Sequence, residues 1–384
     1  MAERNHVRLG VASHLLVPLV LLSAILAPLA HAQSVVATVG VGNHPWDVAY
    51  DTARGEIFVA NGAWLGPPFV PGTVSVISDV TNKVVATVDV GRWPFGVAYD
   101  PAKGEVFVTN SLDDTVSVIS DSDNAVVATI GVGAGPRGIS YDASKGEIFV
   151  ANFGNQTVSV ISDANDEVVA TVDVGDSPRG VAYDPAKGEI FVTNYGDHTV
   201  SVISDASDAV VETVDVGNGP WDITFDSSNG DVFVANYQDG TISVISDATD
   251  MVVATVSVGS GPTEVAIDSS TGELFATDYH DNNVSVVSGA APFQMISRVS
   301  VGTGPVAAAY DPSKAEIFVA NGGGDTVSAI QSFANSSAAS TSQLSRGSLI
   351  PGIGNDAVAT TLVIALVGLA VGLVIWKRVR HAPA

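Results

Sequence analysis

A segment of about 42 residues recurs seven times along the chain, and this repetition constrains the fold more than any other feature of the sequence. Each copy begins with the sequence VVATV or a close variant. These starts lie at Val35, Val84, Val126, Val168, Val210, Val252 and Met295. The first copy is longer than the others because extra residues around AWLGPPFVP lie between Asn61 and Thr73. Repeats of this length predict one supersecondary unit per copy, stacked on its neighbours to bury a shared core.

One copy, residues 168–209, illustrates the predicted unit. Four short runs rich in β-branched residues lie at 180–183, 189–193, 199–204 and, in the next copy, 210–216. Turn-forming sequences such as DPAKGE separate them, with Pro to begin a turn and Gly for a positive φ. Runs such as EIFV are apolar at every position except the first, which indicates strands that are covered on both faces. The unit is therefore predicted to be a four-stranded propeller blade.

The two ends of the repeated region predict how the ring closes. The last copy has three β-rich runs, 306–310, 316–320 and 326–330, and lacks a fourth, whereas residues 34–41 form a spare fourth run at the start. The N-terminal strand is expected to complete the last blade, which removes an open sheet edge. The predicted fold is all-β: a seven-bladed propeller over residues 33–332, closed by its N-terminal strand.

The repeat sequence resembles that of a known family. FVTN at Phe107 and Phe191, FVAN in four other copies, and the frame VxVGxxPxxVAYDPxKGE are similar to the YVTN-repeat β-propellers of archaeal surface-layer and cell-surface proteins, which have bacterial periplasmic relatives. The resemblance implies a propeller and a place on the cell surface. It does not specify an activity, since similar propellers include quinoprotein-type dehydrogenases and sugar lactonases, and a fold does not determine a function.

Both ends of the chain carry targeting signals. Residues 1–32 have the form of a secretory signal peptide: Arg4 and Arg8, an apolar run over 15–30, and the cleavage pattern Ala30-His31-Ala32. Residues 357–376 carry no charge and are long enough to span a bilayer as a helix. The basic segment 377–384 that follows is predicted to be a cytoplasmic tail. The Ser/Ala-rich residues 333–356 are predicted to be a flexible stalk.

Composition excludes several classes of function. The chain has 16 Lys and Arg against 41 Asp and Glu, a formal net charge of −25, which argues against a nucleic-acid partner. It has no cysteine, and therefore no disulfide and no thiol catalysis. Motifs for a nucleophile elbow, a zinc site or a phosphate loop are missing, so no catalytic residue, metal site or cofactor is predicted.

The loops that enter the first strand of each blade vary most among the copies. They read NHPWD, RWPFG, AGPRG, DSPRG, NGPWD, SGPTE and TGPVA, and are expected to surround the channel mouth. Aromatic rings beside arginines and carboxylates suit a polar ligand such as a glycan or a peptide. An alternative is that these side chains plug the channel. The candidate ligand-binding residues are Trp46, Asp47, Phe95, Arg137, Arg179, Trp221, Asp222 and Glu264, with Thr263, Trp64 and Phe69 near them.

Other polar residues have simpler interpretations. Asn155, Asn283 and Asn335 begin N-glycosylation sequons. His44, His198 and His280 lie in separate blades and are expected to be solvated turn residues. The aspartates of the repeated ISD turn are interpreted as turn caps, since each is alone and calcium needs six or more oxygen ligands. These aspartates are Asp79, Asp121, Asp163, Asp205 and Asp247.

Together these features favour a non-catalytic surface protein, anchored in the membrane by its C-terminal helix, whose partner is a cell-envelope glycan or protein. An extracytoplasmic enzyme of the lactonase or quinoprotein kind is an alternative. It predicts that Asp47, Arg137, Arg179 and Glu264 converge on an open pocket. A third hypothesis is an envelope lattice subunit that self-associates. Gly368 and Gly372, four residues apart in the predicted membrane helix, are compatible with a homo-oligomer.

Overall fold

The computed structural model describes residues 33–62 and 71–332, which form seven four-stranded antiparallel sheets. Blades one to three contain β2 (Pro45–Asp51), β3 (Glu56–Asn61), β4 (Thr73–Ser78), β5 (Lys83–Asp89); β6 (Pro94–Asp100), β7 (Glu105–Asn110), β8 (Thr115–Ser120), β9 (Ala125–Gly131); β10 (Pro136–Asp142), β11 (Glu147–Asn152), β12 (Thr157–Ser162) and β13 (Glu167–Asp173). Blades four to six contain β14 (Pro178–Asp184), β15 (Glu189–Asn194), β16 (Thr199–Ser204), β17 (Ala209–Asp215); β18 (Pro220–Asp226), β19 (Asp231–Asn236), β20 (Thr241–Ser246), β21 (Met251–Ser257); β22 (Pro262–Ile267), β23 (Leu274–Asp278), β24 (Asn283–Val287) and β25 (Met295–Ser300). Blade seven contains β26 (Pro305–Asp311), β27 (Glu316–Asn321), β28 (Thr326–Gln331) and the first strand of the chain, β1 (Ser34–Gly40).

The predicted ring closure is confirmed. The β1 strand pairs antiparallel with β28, and its register places Thr38 opposite Ser328 and Val39 opposite Val327. The predicted strands of the repeat are also confirmed, and their observed bounds differ by at most two residues at either end. The first and last described strands are therefore joined by backbone hydrogen bonds in the sheet of blade seven, and the chain continues from β1 directly into blade one.

The core is built between blades, which explains the continuous apolar runs. One phenylalanine in each second strand is fully buried, at Phe58, Phe107, Phe149, Phe191, Phe233, Phe275 and Phe318. Phe58 of blade one packs with Val97 and Val108 of blade two, and Phe318 of blade seven packs with Val48 of blade one. Each sheet is thus covered on both faces, and removing one such ring would cost roughly 3–5 kcal/mol.

The two faces of the disc are made by different loops. On one face, the loop that enters each first strand is hydrogen-bonded to the turn between the second and third strands, as Ser111 N–H donates to the Trp93 carbonyl. We call this the variable face, because its sequence differs from blade to blade. On the opposite, uniform face, Asp79 N–H donates to the Gly55 carbonyl, joining the other two turns of blade one. The repeated DPAKGE turns lie there, and Asp51 caps the first of these turns by accepting the Ala53 N–H at 2.7 Å.

The aspartates of the ISD turns have a role other than the predicted turn capping. The carboxylate of Asp79 accepts a hydrogen bond from the Tyr50 hydroxyl at 3.3 Å, and the carboxylate of Asp121 accepts one from Tyr99 at 3.2 Å. The same carboxylate lies against the glycine of the neighbouring turn: a Cβ added to Gly55, which has φ +67°, would come within 2.7 Å of Asp79 Oδ2. The regular spacing of the ISD aspartates among the copies of the repeat thus reflects contacts between turns.

Blade six has a buried aspartate at a position where the other six blades have asparagine. In six blades, the second strand ends in Asn, whose Nδ2 donates to the hydroxyl of a Ser, as Asn236 does to Ser243 at 2.9 Å. Blade six has Asp278 instead, which accepts the Gly259 N–H at 2.9 Å and the Ser285 hydroxyl at 2.7 Å. Burial raises the pKa of Asp278 to about 6. The folded state therefore binds a proton more tightly than the unfolded chain, and stability is lost as the pH rises from about 4 through 6.

Asp278→Asn is expected to stabilise the protein at pH 7.5 by about 1–3 kcal/mol, since an amide can accept from Gly259 and donate to Ser285 without burying a charge. The difference should become small near pH 4, where the carboxyl is protonated in the folded state and partly protonated in the unfolded chain. Urea unfolding at the two pH values measures it. The reciprocal change Asn236→Asp should destabilise at pH 7.5 and much less at pH 4. A gain in stability that is equal at both pH values would contradict the explanation.

Several predicted segments lie outside the described residues. These are the signal peptide 1–32, Trp64 and Phe69 of the insertion, Asn335, the stalk 333–356, the membrane helix 357–376 and the tail 377–384. Within the described ranges, no helix is long and apolar enough to cross a membrane.

Candidate functional site

The channel-facing side chains come from two positions of each first strand. The residue after the conserved proline is, in blade order, Trp46, Phe95, Arg137, Arg179, Trp221, Thr263 and Val306. The next residue is Asp47, Gly96, Gly138, Gly180, Asp222, Glu264 and Ala307. Glycines in blades two to four leave room for large side chains: a Cβ on Gly180 would lie 2.3 Å from Asp222 Oδ1. Charge and aromatic area are therefore unevenly spread around the axis.

These side chains nearly fill the channel. A cavity of about 20 Å³ remains between seven of the eight predicted site residues, just enough for a single water molecule. Its lining includes Trp46, Asp47, Phe95, Arg179, Trp221, Asp222 and Glu264. Arg137 lies beside it, with its guanidinium 3.5 Å from the centroid of Phe153 and 5.3 Å from that of Phe95. The cavity that Asp47, Arg179 and Glu264 share is thus much smaller than the open pocket that the enzyme hypothesis requires. Glu264 also lines a separate cavity of about 340 Å³ toward the uniform face.

Arg179 closes the mouth of the channel by stacking. Its side chain is buried, and its guanidinium lies 3.1 Å from the ring centroid of Trp221 and 5.4 Å from that of Phe95. Trp221 in turn stacks on Tyr237 at 4.7 Å. The described acidic residues include none within ion-pair distance of Arg179, and its Nε has no hydrogen-bond partner among the described atoms. Burial and the nearby Arg137 lower the pKa of Arg179. The contact is a desolvated cation–π stack, an arrangement worth about 2 kcal/mol.

Three carboxyl groups share the channel below this stack. Asp47 joins two blades, because its Oδ2 accepts the Val97 N–H of blade two at 2.8 Å while Oδ1 accepts the Val48 N–H at 2.7 Å. Asp47, Asp222 and Glu264 are each partly accessible from the channel interior. Burial raises the pKa of Asp47 to about 8, with a contribution from Asp222, and raises that of Asp222 to about 7. Burial, Asp47 and Asp222 also raise the pKa of Glu264 well above its usual value.

Threonines that sequence reasoning left unassigned connect the blades around this cluster. Thr109 accepts the Gly96 N–H at 2.8 Å and donates to the Arg137 carbonyl of the next blade at 2.7 Å. Thr193 accepts the Gly180 N–H at 2.8 Å in the same way and donates to the Trp221 carbonyl at 3.2 Å. Blades with FVTN therefore have a threonine hydroxyl that hydrogen-bonds to the next blade, whereas blades with FVAN have alanine at that position.

The remaining predicted residues are dispersed. Thr263 is buried and hydrogen-bonded to Thr277 and to the Pro305 carbonyl. The sequon Asn155 is exposed, whereas Asn283 begins β24 and its Oδ1 is buried. His44, His198 and His280 make separate contacts, with the Gly322 carbonyl, the Gly219 N–H and the Tyr237 hydroxyl. No cluster of three or more potential metal-ligating residues exists among the described residues.

A second feature of the variable face was not predicted. Aromatic residues follow the Asn or Asp that ends the second strand in blades three to six, and they surround the channel mouth. These are Phe153, Tyr195, Tyr237 and Tyr279. Trp93, one residue before the conserved proline of blade two, lies 5.8 Å from Trp46 between ring centroids. With Trp46, Phe95 and Trp221, they make the variable face aromatic over most of its centre.

Comparisons with known proteins agree with the fold. Residues 176–203, which run through blade four, match the NHL repeat. No curated protein matches the chain. Among solved structures, the chain is similar to hydrazine synthase from Kuenenia stuttgartiensis, with a TM-score of 0.68 and 19% identity over 76% of this chain and 96% of that one. At this identity the likeness concerns the fold alone. The chain is a seven-bladed β-propeller with an NHL-type repeat.

Proposed function

We propose that the protein is an exported propeller of the YVTN-repeat kind that binds a glycan or protein of the cell envelope through its variable face, without catalysing a reaction. Its sequence supports export by the signal peptide 1–32 and anchoring by residues 357–376. The FVTN and FVAN repeats support the family. On this proposal, the disc lies outside the cell and presents its variable face to an envelope component.

The contrast between the two faces carries the proposal. The uniform face repeats the same turns, and its tyrosines and aspartates contact each other. The variable face collects eight aromatic rings and two arginines near the axis, over a cavity of about 20 Å³. Aromatic residues and Arg dominate protein binding surfaces, while a small-molecule site needs a cleft of about 300–1,000 Å³. A closed, aromatic-rich centre therefore suits recognition better than catalysis at the axis.

The proposal predicts that binding depends on one face of the disc. The full chain in detergent is immobilised and exposed to a detergent extract of the cell envelope. The variable-face variant Arg92→Glu/Gln238→Glu changes two exposed residues of blades two and five. Recovery of the bound component is expected to fall at least tenfold, because carboxylates are depleted at the cores of binding surfaces.

The matched control is Lys103→Glu/Ala186→Glu, which makes the same change in charge at exposed positions of the uniform face. It should bind like the unmodified protein. Equal loss of binding by both variants would contradict a role for the variable face, and the absence of any captured envelope component would contradict the proposed function. Robust turnover of a lactone or of a quinone-dependent substrate by the full chain would also contradict it.

A further inference from the structure

A pocket of about 340 Å³ opens on the variable face beside the closed channel. Its walls are the rings of His44, Trp46, Trp93 and Tyr279, with Val306 and the glycines Gly322 and Gly323. Within the described lining there is no Asp, Glu, Lys or Arg. The pocket is large enough for one ring-sized ligand and lies within the range of small-molecule sites.

The pocket lies where blade seven lacks the aromatic ring that blades three to six carry at the equivalent position. Gly322 follows the last residue of β27, at the position occupied by Tyr195, Tyr237 and Tyr279 in blades four to six. A Cβ on Gly322 would already lie 3.1 Å from the Pro45 carbonyl oxygen and 3.4 Å from Val306. The missing side chain leaves space that Trp46 and Trp93 border but do not fill.

Two residues of the pocket hold a backbone conformation that favours glycine. The residue before the conserved proline has a positive φ in every blade, and it is glycine in four of them: Gly135, Gly219, Gly261 and Gly304. Blades one and two have His44 at φ 48° and Trp93 at φ 56° instead. A bulky side chain is strained there, and such strain is found where the side chain serves a function. Blade four has Ser177 there at φ 58°, so Trp93 is the bulkiest side chain held in this conformation, and its ring forms part of the pocket wall.

The chemistry of the walls defines the ligand. Trp46 and Trp93 meet at an angle of 42°, so they present two faces of a corner rather than one stacked pair. The Trp46 Nε1–H is buried against Gly62 and is not exposed to the pocket, so the Trp46 ring contributes an apolar wall. His44 Nδ1–H donates to the Gly322 carbonyl at 3.1 Å, which leaves Nε2 of the neutral ring as an acceptor. Flat apolar walls with one acceptor at their edge match a ring that has C–H faces and hydroxyl edges.

We propose that this pocket binds a neutral hexopyranose ring, with the C–H face of the sugar on Trp93 and Trp46 and one sugar hydroxyl donating to His44 Nε2. The inference rests on the proposed function and names its ligand class. A quaternary ammonium ion could contact the aromatic walls, but its methyl groups cannot donate a hydrogen bond to His44 Nε2. An apolar peptide side chain would cover His44 Nε2 without donating a hydrogen bond to it. An acidic sugar would meet the field of a chain with formal charge −25.

The test uses ligand-observed NMR with the full chain in detergent and five probes: the methyl glycosides of glucose, galactose and mannose, glucuronate, and choline. At least one neutral glycoside is expected to bind. Trp93→Gly should weaken its affinity at least tenfold while the melting temperature stays constant or rises, since glycine relieves the positive φ. Gly322→Tyr, which fills the pocket, should also abolish binding. The matched control Ser177→Gly makes the same backbone change in blade four and should bind normally.

Binding of choline or glucuronate in place of the neutral glycosides, or of none of the probes, would overturn the assignment. Unchanged affinity in both Trp93→Gly and Gly322→Tyr would also overturn it. If the full chain still captures an envelope component while all sugar binding is absent, only this inference fails. If neither occurs, the proposed function fails with it.

Discussion

Val39→Asp is expected to destabilise the propeller by about 3 kcal/mol or more, the largest effect of any single change in the closing strand. Val39 lies in β1 opposite Val327, is 7% exposed, and packs with Phe318, Ala329 and Val306 in the core between blades seven and one. A carboxylate there must either be buried without a partner or pull β1 away from β28. Because β1 is the outer strand of blade seven and joins the two ends of the chain, its release would expose the edge of β28.

Val36→Asp is the matched control. Val36 lies in the same strand, but the register of β1 skips it between Val35 and Ala37, and its side chain is 50% exposed. The change should cost less than about 0.5 kcal/mol, as is usual for surface positions. Urea unfolding of the full chain measures both, and hydrogen exchange of β28 amides reports whether the closing pair has opened. Equal destabilisation by the two variants would contradict the packing described for Val39, because a charge would then have the same effect at a buried and at an exposed position of β1.

The fold could be predicted because each copy of the repeat carries the same local signals. The run EIFV at Glu147–Val150 is flanked by turn residues on both sides, and the spare strand at 34–41 complements the missing strand of the last copy. Repetition also averages out local ambiguity, since any one apolar run is compatible with several structures. The exact strand ends differ because Pro178 and Asp184 pair at positions where the sequence alone shows only turn residues.

The grouping of the site could be predicted, but its chemistry could not. Equivalent loops placed Asp47, Arg179 and Glu264 near one axis, and they line one cavity. Whether Arg179 pairs with Asp222 or stacks on Trp221 depends on side-chain geometry a few ångströms across, which spacing does not encode. The off-axis pocket was missed because its main cause is an absence, the small residue Gly322, and because Trp93 is unusual only once the backbone φ is known.

The stability of the protein is expected to fall as the pH rises from about 5 to 8 because of Asp47, Asp222 and Glu264. Burial raises the pKa of all three carboxyl groups, that of Asp47 to about 8 and that of Asp222 to about 7. Over this interval, the unfolded chain has already lost these protons while the folded state retains them, so the unfolding free energy decreases with pH. For a carboxyl raised as far as Asp47, the loss between pH 5 and 8 is at most about 4 kcal/mol.

The triple variant Asp47→Asn/Asp222→Asn/Glu264→Gln should therefore have a flatter pH dependence, measured as the change in melting temperature between pH 5 and 8. Its absolute stability at pH 5 is a separate quantity, since the Asp47→Asn amide can accept only one of the two backbone N–H bonds through its oxygen. The surface triple Asp173→Asn/Asp215→Asn/Glu212→Gln makes the same change in charge at exposed positions and should keep the original slope. If the two triples have the same slope, the dependence comes from the overall acidity of the chain. If only the channel triple abolishes the slope, the pH dependence comes from protons bound by Asp47, Asp222 and Glu264. The channel would then be most stable in acidic surroundings.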